Sequence, residues 1–342
     1  MPRDSATSPA DELARLVNGF GISQAISVAA RLGLADLMAN GPVTVQDLAS
    51  KIGANPRALH RLLRALAGVG VFAEMEAGSF VLTPMAERLR SDVPGSFRAF
   101  ALLPSEPSFW GPWGELLYSV KTGKTAFSKV YGMDVWEWRE KNPEAGQVFN
   151  DAMTSLSDAQ SAAIVDAYDF STFEHVIDVG GGHGALVRAL AKAHPQLRGT
   201  VFDLAFVTER TNAAFEAEGL AERCRAESGD MFKNVPSGGD AYLFKYIMHD
   251  WEDDQALDIL RTCRQAIGTA SARLLVFEQV IPPGNVPHPS KLLDLQMLIS
   301  AGGRERTEAE FASLLNAGGF RLVRIVPTAS SISVIEGVPI PV

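Results

Sequence analysis

Two short runs hold the residues best placed to do chemistry. Asp178, Gly180, Gly182 and Gly184 sit in Val176-Ile177-Asp178-Val179-Gly180-Gly181-Gly182-His183-Gly184-Ala185-Leu186, where an apolar β-like run ends in glycines and a helical pattern opens. Glycine lets the backbone turn tightly and approach a ligand where a Cβ would collide, and the start of the next helix presents unpaired N–H groups. This strand–loop–helix therefore reads as a cofactor site. The second run, Lys245-Tyr246-Ile247-Met248-His249-Asp250-Trp251, closes a later strand-like stretch and precedes the polar helix start Glu252-Asp253-Asp254. A histidine at the ligand-bearing edge of a sheet is expected to be catalytic, because imidazole titrates near neutral pH.

Two cofactor classes use such a loop, and Gly180-x-Gly182-x-x-Ala185 also satisfies the loose dinucleotide fingerprint. Asp178 inside the strand end, the tighter D-x-G-x-G-x-G spacing, and Asp203 at the close of the next β-like run, 199–203, favour S-adenosylmethionine (SAM). Asp203 is expected to accept both ribose hydroxyls, and Asp178 to meet the cationic methionine end with its ammonium and sulfonium. In Gly229-Asp230-Met231-Phe232, after the third strand, Asp230 is placed near adenine nitrogens and Met231 against the adenine face, although Asp230 also suits a turn cap. A nicotinamide dehydrogenase would explain the glycine loop and Asp203. It would leave Asp230, His249 and their surroundings without roles.

These residues need a sheet to hold them. From Phe173 onward strand-like and helix-like runs alternate about every 25 residues, with strands expected at 174–179, 199–203, 223–227, 240–246, 273–279, 320–326 and 331–336. The pattern predicts a seven-stranded, doubly wound, Rossmann-like α/β sheet with ligands beyond its carboxyl ends. Upstream, Leu13, Leu16, Val17, Phe20, Ile26, Ala30, Leu34 and Leu37 recur at helical spacing, predicting one or two long helices over 11–40. A winged-helix pattern follows. Thr44 and Asn55-Pro56 are set to cap two helices, and the runs 71–74 and 79–82 to form the wing hairpin. Arg57, His60, Arg61 and Arg64 on the second helix raise a DNA-reading role, yet residues 1–100 hold ten basic against nine acidic side chains. So balanced a surface gives little support for phosphate binding. The segment 101–170 is expected to be helical and to line an apolar cavity with some of its many aromatics.

The 342 residues include 31 basic and 40 acidic side chains, a net charge of −9 that gives no global attraction to nucleic acid or anionic membrane. Cys224 and Cys263 are the only cysteines, which argues against a disulfide framework or a metal cluster and for a reducing compartment. No stretch reaches membrane-spanning length, and the amino-terminal residues lack a sustained apolar run, so the expected location is cytoplasmic.

The chain resembles the SAM-dependent O-methyltransferases of the plant caffeate and flavonoid type and their bacterial antibiotic-tailoring relatives. VIDVGGGHGALV, VFDLAFV, GDMF, KYIMHDW, LLVFEQVIP and GGRERTEAEF carry the resemblance, in the family's order and approximate spacing. It implies a class I methyltransferase domain at 101–342 and a winged-helix-like dimerisation domain at 1–100 forming a homodimer. By this resemblance Gly180, Gly182, Asp203, Asp230, Met231, Phe232 and Lys245 bind SAM and its product S-adenosyl-L-homocysteine, with Trp251 and Met231 enclosing adenine. It makes His249 the general base, Glu278 and Glu305 the two carboxylates flanking its imidazole, and Phe149, Met153 and Met297 part of the pocket for a small aromatic hydroxyl-bearing acceptor. No metal is implied. Some family members bind SAM without transferring methyl groups, and a SAM-sensing winged-helix regulator is the other alternative; His249, Glu278 and Glu305 argue for the enzyme.

Overall fold

The computed structural model describes residues 8–341. The chain falls into two compact units, one of residues up to Gly111 together with Asn142–Leu156, the other of Pro112–Lys141 and Ser157 onward. The first thus runs past residue 100, where the resemblance implies a boundary, and takes in the first half of the long helix Pro143–Ala167.

In the first unit the one or two long amino-terminal helices expected over 11–40 are three pieces, Pro9–Val17, Gly19–Arg31 and Leu34–Leu37. Asn18 turns the chain after the first. Gly33, at φ +63°, ends the second in a left-handed conformation that a Cβ would resist. Thr44 and Asn55 cap the helices Val45–Ile52 and Pro56–Gly68 by accepting from the N–H groups of Asp47 and Ala58. Strands β1 (Val43–Thr44), β2 (Phe72–Glu74) and β3 (Ser79–Leu82) form an antiparallel sheet in the order β1-β3-β2. The second helix turns Leu59, Leu63 and Leu66 onto Phe72 and Phe80 in the core and leaves Arg57, Arg61 and Arg64 outside. On the first two helices Leu13, Leu16, Val17 and Phe20 keep between 58% and 65% of their surface exposed.

The second unit is built on β4 (His175–Val179), β5 (Arg198–Asp203), β6 (Cys224–Ser228), β7 (Ala241–Lys245) and β8 (Arg273–Glu278). A parallel pair follows, β9 (Val280–Ile281) with β10 (Arg306–Thr307), and then β11 (Phe320–Pro327) and β12 (Ser333–Pro339). The main sheet runs β6-β5-β4-β7-β8-β12-β11 and is parallel except at β12, which is antiparallel to both neighbours. Side chains alternate faces with the strand period of two. Tyr242, Phe244, Leu274 and Val276 meet the helices Asp253–Ile267 and Glu308–Ala317, while Ala241, Leu243, Leu275 and Phe277 meet Ile164, Tyr168, Leu186 and Leu190. The seven expected strands lie within a few residues of those observed. Sequence patterning did not reveal the short β9–β10 pair, and that pair delivers Glu305 and Arg306 to the end of β8.

Candidate active site

The glycine loop leaves β4 with Gly180, Gly182 and Gly184 at φ +71°, +55° and +73°. A Cβ at Gly180 would collide with the Ile247 side chain, and one at Gly181 would stand 2.5 Å from Asp178 Oδ2. Bare backbone is thus required beside the carboxylate. Asp203, at the end of β5, ties the loop down by accepting from the N–H of Gly182 (2.8 Å) and of Leu204 (2.7 Å). Each Asp203 oxygen retains acceptor capacity for a further donor. Asp178 is buried with Oδ1 lacking a hydrogen-bond partner, and burial pushes its pKa up to about 7 against the pull of the Lys245 charge. Lys245, at the end of β7, donates to the Ser157 hydroxyl.

After β6, Asp230 accepts from the Phe232 N–H at 3.0 Å and pairs with Lys233 at 2.9 Å. It thus caps its turn, one of the two roles its sequence allowed. Phe232 meets the Trp251 ring edge to face at 4.9 Å, and Trp136 lies roughly parallel to Trp251 at 6.4 Å. Met231, Phe232 and Trp251 all pack partly exposed against the core.

Beyond β7 the backbone passes through Tyr246 at φ +54°, the sole non-glycine positive φ among the described residues, and enters the turn Met248–Asp250. His249 is only 7% exposed. Its Nδ1 lies 2.6 Å from Glu305 Oε1, a short, charge-assisted contact. Its Nε2 is 3.7 Å from Asp250 Oδ1, and the Tyr246 ring leans over it at 4.9 Å. The resemblance places both glutamates on the imidazole, and the structure separates them: Glu278 Oε1 instead accepts from the His249 backbone N–H at 3.0 Å. Glu278 sits at the carboxyl end of β8, opposite the turn, whereas Glu305 arrives from the strand edge of β10. Burial alone would lower the imidazole pKa, but the charges of Asp250, Glu305 and Glu278 outweigh it and raise it to about 9. Burial likewise lifts Glu278, to about 7, with the His249 charge opposing.

Arg306, fully buried, was not foreseen, because an arginine in a charged stretch usually marks a solvated face. It donates to the carbonyls of Met248 (2.7 Å) and Trp251 (2.9 Å) and twice to Asp253 Oδ1 (3.0 and 2.8 Å). Asp250, adjacent to the expected base, was also not singled out. Gly303 packs against the His249, Asp250 and Trp251 backbone so closely that any Cβ would overlap the His249 carbonyl.

Residues 113–321 match the model of the O-methyltransferase domain, and residues 14–92 that of the O-methyltransferase dimerisation domain. The chain belongs to the SAM-dependent O-methyltransferases. It is 42% identical over 328 residues to the phenazine O-methyltransferase PhzM of Lysobacter antibioticus, covering 96% of both chains. The crystal structure of LaPhzM superposes with a TM-score of 0.91 at 41% identity, over 98% of this chain and all of that one. An O-methyltransferase from neocarzinostatin biosynthesis, NcsB1, solved with SAM and 2-hydroxy-5-methyl naphthoic acid, gives 0.79 at 33% identity over 98% of this chain and all of that one.

The methyltransferase's loop fits its cofactor. Asp178 offers an unpartnered, buried oxygen to a cation, and Asp203 offers two oxygens with room for hydroxyl donors. The glycines keep side chains out of the way. Met297 is buried on the helix Ser290–Ile299 of the catalytic unit, while Phe149 and Met153 lie on the part of the long helix that belongs to the other unit. Among the described residues no group of three or more His, Cys, Asp or Glu could hold a metal ion, and no helix is long and apolar enough to cross a membrane.

SAM affinity is expected to fall as pH drops through about 7, since Asp178 must be ionised to meet an ammonium and protonation removes that charge. Asp178→Asn should bind SAM about 10–100-fold more weakly, the scale of a lost charge-assisted hydrogen bond, and should lose this pH dependence. Calorimetry between pH 5.5 and 8.5 checks both.

Proposed function

We propose that this enzyme transfers the methyl group of SAM to a hydroxyl of a small aromatic acceptor, with His249 as general base. The observation that carries the reading is the Nδ1 contact to Glu305, which fixes the ring so that Nε2 is the atom left to take a proton. Asp178, Gly180, Gly182, Asp203, Asp230, Met231, Phe232, Lys245 and Trp251 would hold the cofactor, and Phe149, Met153 and Met297 the acceptor. The acceptor class rests on relatives named for phenazine and naphthoate substrates. The buried cysteines suit a cytoplasmic enzyme.

Bound SAM supplies a methyl group on a sulfonium, an electrophile open to in-line attack by oxygen. The protein's task is to make that oxygen nucleophilic and hold it still. A phenol of pKa about 10 and an unperturbed imidazole of about 6.5 are mismatched by roughly 5 kcal/mol. Raising His249 to about 9 shrinks the mismatch to one unit, or about 1.4 kcal/mol. The cost is occupancy: near pH 7 only about one imidazole in a hundred is neutral and able to accept. Activity of the wild-type enzyme should therefore rise with pH toward about 9.

His249→Ala should keep SAM affinity within a few-fold and lower turnover by about 10²–10⁴, with the loss shrinking as pH approaches the acceptor's own pKa. Incubation with SAM and a panel of hydroxyphenazines and hydroxynaphthoic acids, followed by mass spectrometry for one added methyl group, identifies the acceptor. Near-normal turnover of His249→Ala at pH 6–8 would show that the histidine is structural.

We also propose that the first unit makes a homodimer through the exposed stripe Leu13, Leu16, Val17 and Phe20, a face too apolar to stand in water. Light scattering should report a dimer at micromolar concentration and a monomer for Leu16→Asp. A monomeric wild type contradicts this.

A further inference from the structure

We propose that Arg306 is a positioning residue for methyl transfer, setting the pose of His249 by holding both ends of the turn that carries it. The proposal rests on His249 being the general base. Its ground is the direction of the guanidinium's donors. Nη1 reaches the carbonyl before His249, that of Met248, and Nη2 the carbonyl after Asp250, that of Trp251. The two residues that bear on the proton are thus bracketed by one planar, rigid group. Asp253 fixes the guanidinium in turn, through one oxygen on a side chain that is itself 54% exposed.

The burial sharpens the point. A fully buried guanidinium is costly unless its donors are satisfied, and a methionine of similar volume would fill the space at less electrostatic cost. What methionine would not do is tie two carbonyls of the same short turn. The neighbouring residue in sequence completes the device. Glu305 sends its carboxylate to the imidazole Nδ1, and Arg306 sends its cation to the turn's backbone, so two consecutive residues, at the entry and the first position of β10, grip both the ring and the turn. Gly303, pressed against the His249 carbonyl, brings that strand close enough. Misplacement by about 1 Å at such a site is enough to cost about 10²-fold in rate.

The groups that face the imidazole are Asp250 on its own turn, Glu278 from β8, Glu305 from the approach to β10 and Tyr246 from the end of β7. Arg139, on the helix Val135–Lys141, acts on Asp250, and Arg306 acts on Glu278. A loosened turn lengthens the Glu305 and Glu278 contacts together. The imidazole then loses the anions that keep it protonated, and its titration moves down.

Histidine-labelled protein followed by NMR reads this without any acceptor, the His249 signal being assigned by its loss in His249→Ala. In wild type the ring should stay protonated to about pH 9. In Arg306→Lys, which keeps the charge but not the fork, the titration should fall by at least about one unit toward the ordinary value. SAM affinity should stay within about threefold, and kcat on an acceptor found in the panel should drop about tenfold or more with KM little changed. Asp253→Ala, which frees the guanidinium from its anchor, should shift the titration the same way by less. A purely structural arginine would lower the melting temperature and leave both the His249 titration and kcat of the folded enzyme as in wild type. That result overturns the proposal, as does an unshifted titration in Asp253→Ala where Arg306→Lys fails to accumulate folded. A wild type that methylates nothing in the panel while its His249 titration still responds to Arg306→Lys would instead count against the assigned reaction alone.

Discussion

An imidazole and a carboxylate brought 2.6 Å apart inside a protein form the contact on which the rest of this catalytic unit depends. Glu305 has essentially no exposed surface, and the His249 Nδ1 beside its Oε1 supplies the donor that a buried carboxyl group needs. The contact also selects the tautomer and points Nε2 the other way. Nothing local in the sequence makes this possible. It requires β8 to end at Glu278, β10 to pair in parallel with β9, and Gly303 to let one backbone lie on the other. The turn Met248–Asp250, too short to have much rigidity of its own, is fixed by Glu278 on its N–H and by Arg306 on its carbonyls.

The same low-dielectric setting that strengthens this contact leaves several acceptors without donors. Asp178 Oδ1, Glu278 Oε2 and Glu305 Oε2 are buried and unpartnered. Unpaired buried acceptors are costly in a resting protein, and they become an advantage when the ligand brings positive charge. This decides between the two cofactor classes that a glycine-rich loop admits. A dinucleotide would bring its anionic pyrophosphate to a loop backed by Asp178, where like charge repels; the ammonium and sulfonium of SAM would instead meet an acid that burial, and to a lesser degree the Asp203 charge, hold back from ionising. The NAD reading fails on that carboxylate rather than on the glycines.

Much of this arrangement was legible in the sequence, for physical reasons that also explain what was not. The central strands β4, β5, β7 and β8 announce themselves as apolar runs because a parallel sheet covered on both faces leaves few polar positions. The glycine loop is equally plain, since the positive φ angles at 180, 182 and 184 exclude other residues at low cost. Spacing carries no information on which atom a buried acid meets. Glu278 and Glu305 look alike along the chain, yet one takes the backbone of His249 and the other its ring. Asp230 shows the same gap, a motif residue whose carboxylate also caps its own turn, a local use any short acid offers. Arg306 was hidden because two of its partners are backbone carbonyls, which no side-chain pattern displays, and its acidic partner, Asp253, lies 53 residues away in sequence. The break at Asn18 and Gly33 escaped a reading based on apolar period, which continues smoothly through both.

Asp250 and Glu305 together raise the basicity of His249, and the pH dependence of single-turnover methyl transfer in Glu305→Gln isolates the part that Glu305 supplies through its contact with the ring. The amide keeps the shape and can still touch Nδ1, but it brings no negative charge to stabilise an imidazolium. The rise in rate that wild type shows toward about pH 9 should move down by about one unit or more in the variant, with a lower plateau because the weaker base leaves a larger proton-transfer mismatch. A rise that stays where it is in wild type, with an unchanged plateau, would show that Glu305 does not contribute to the basicity of His249.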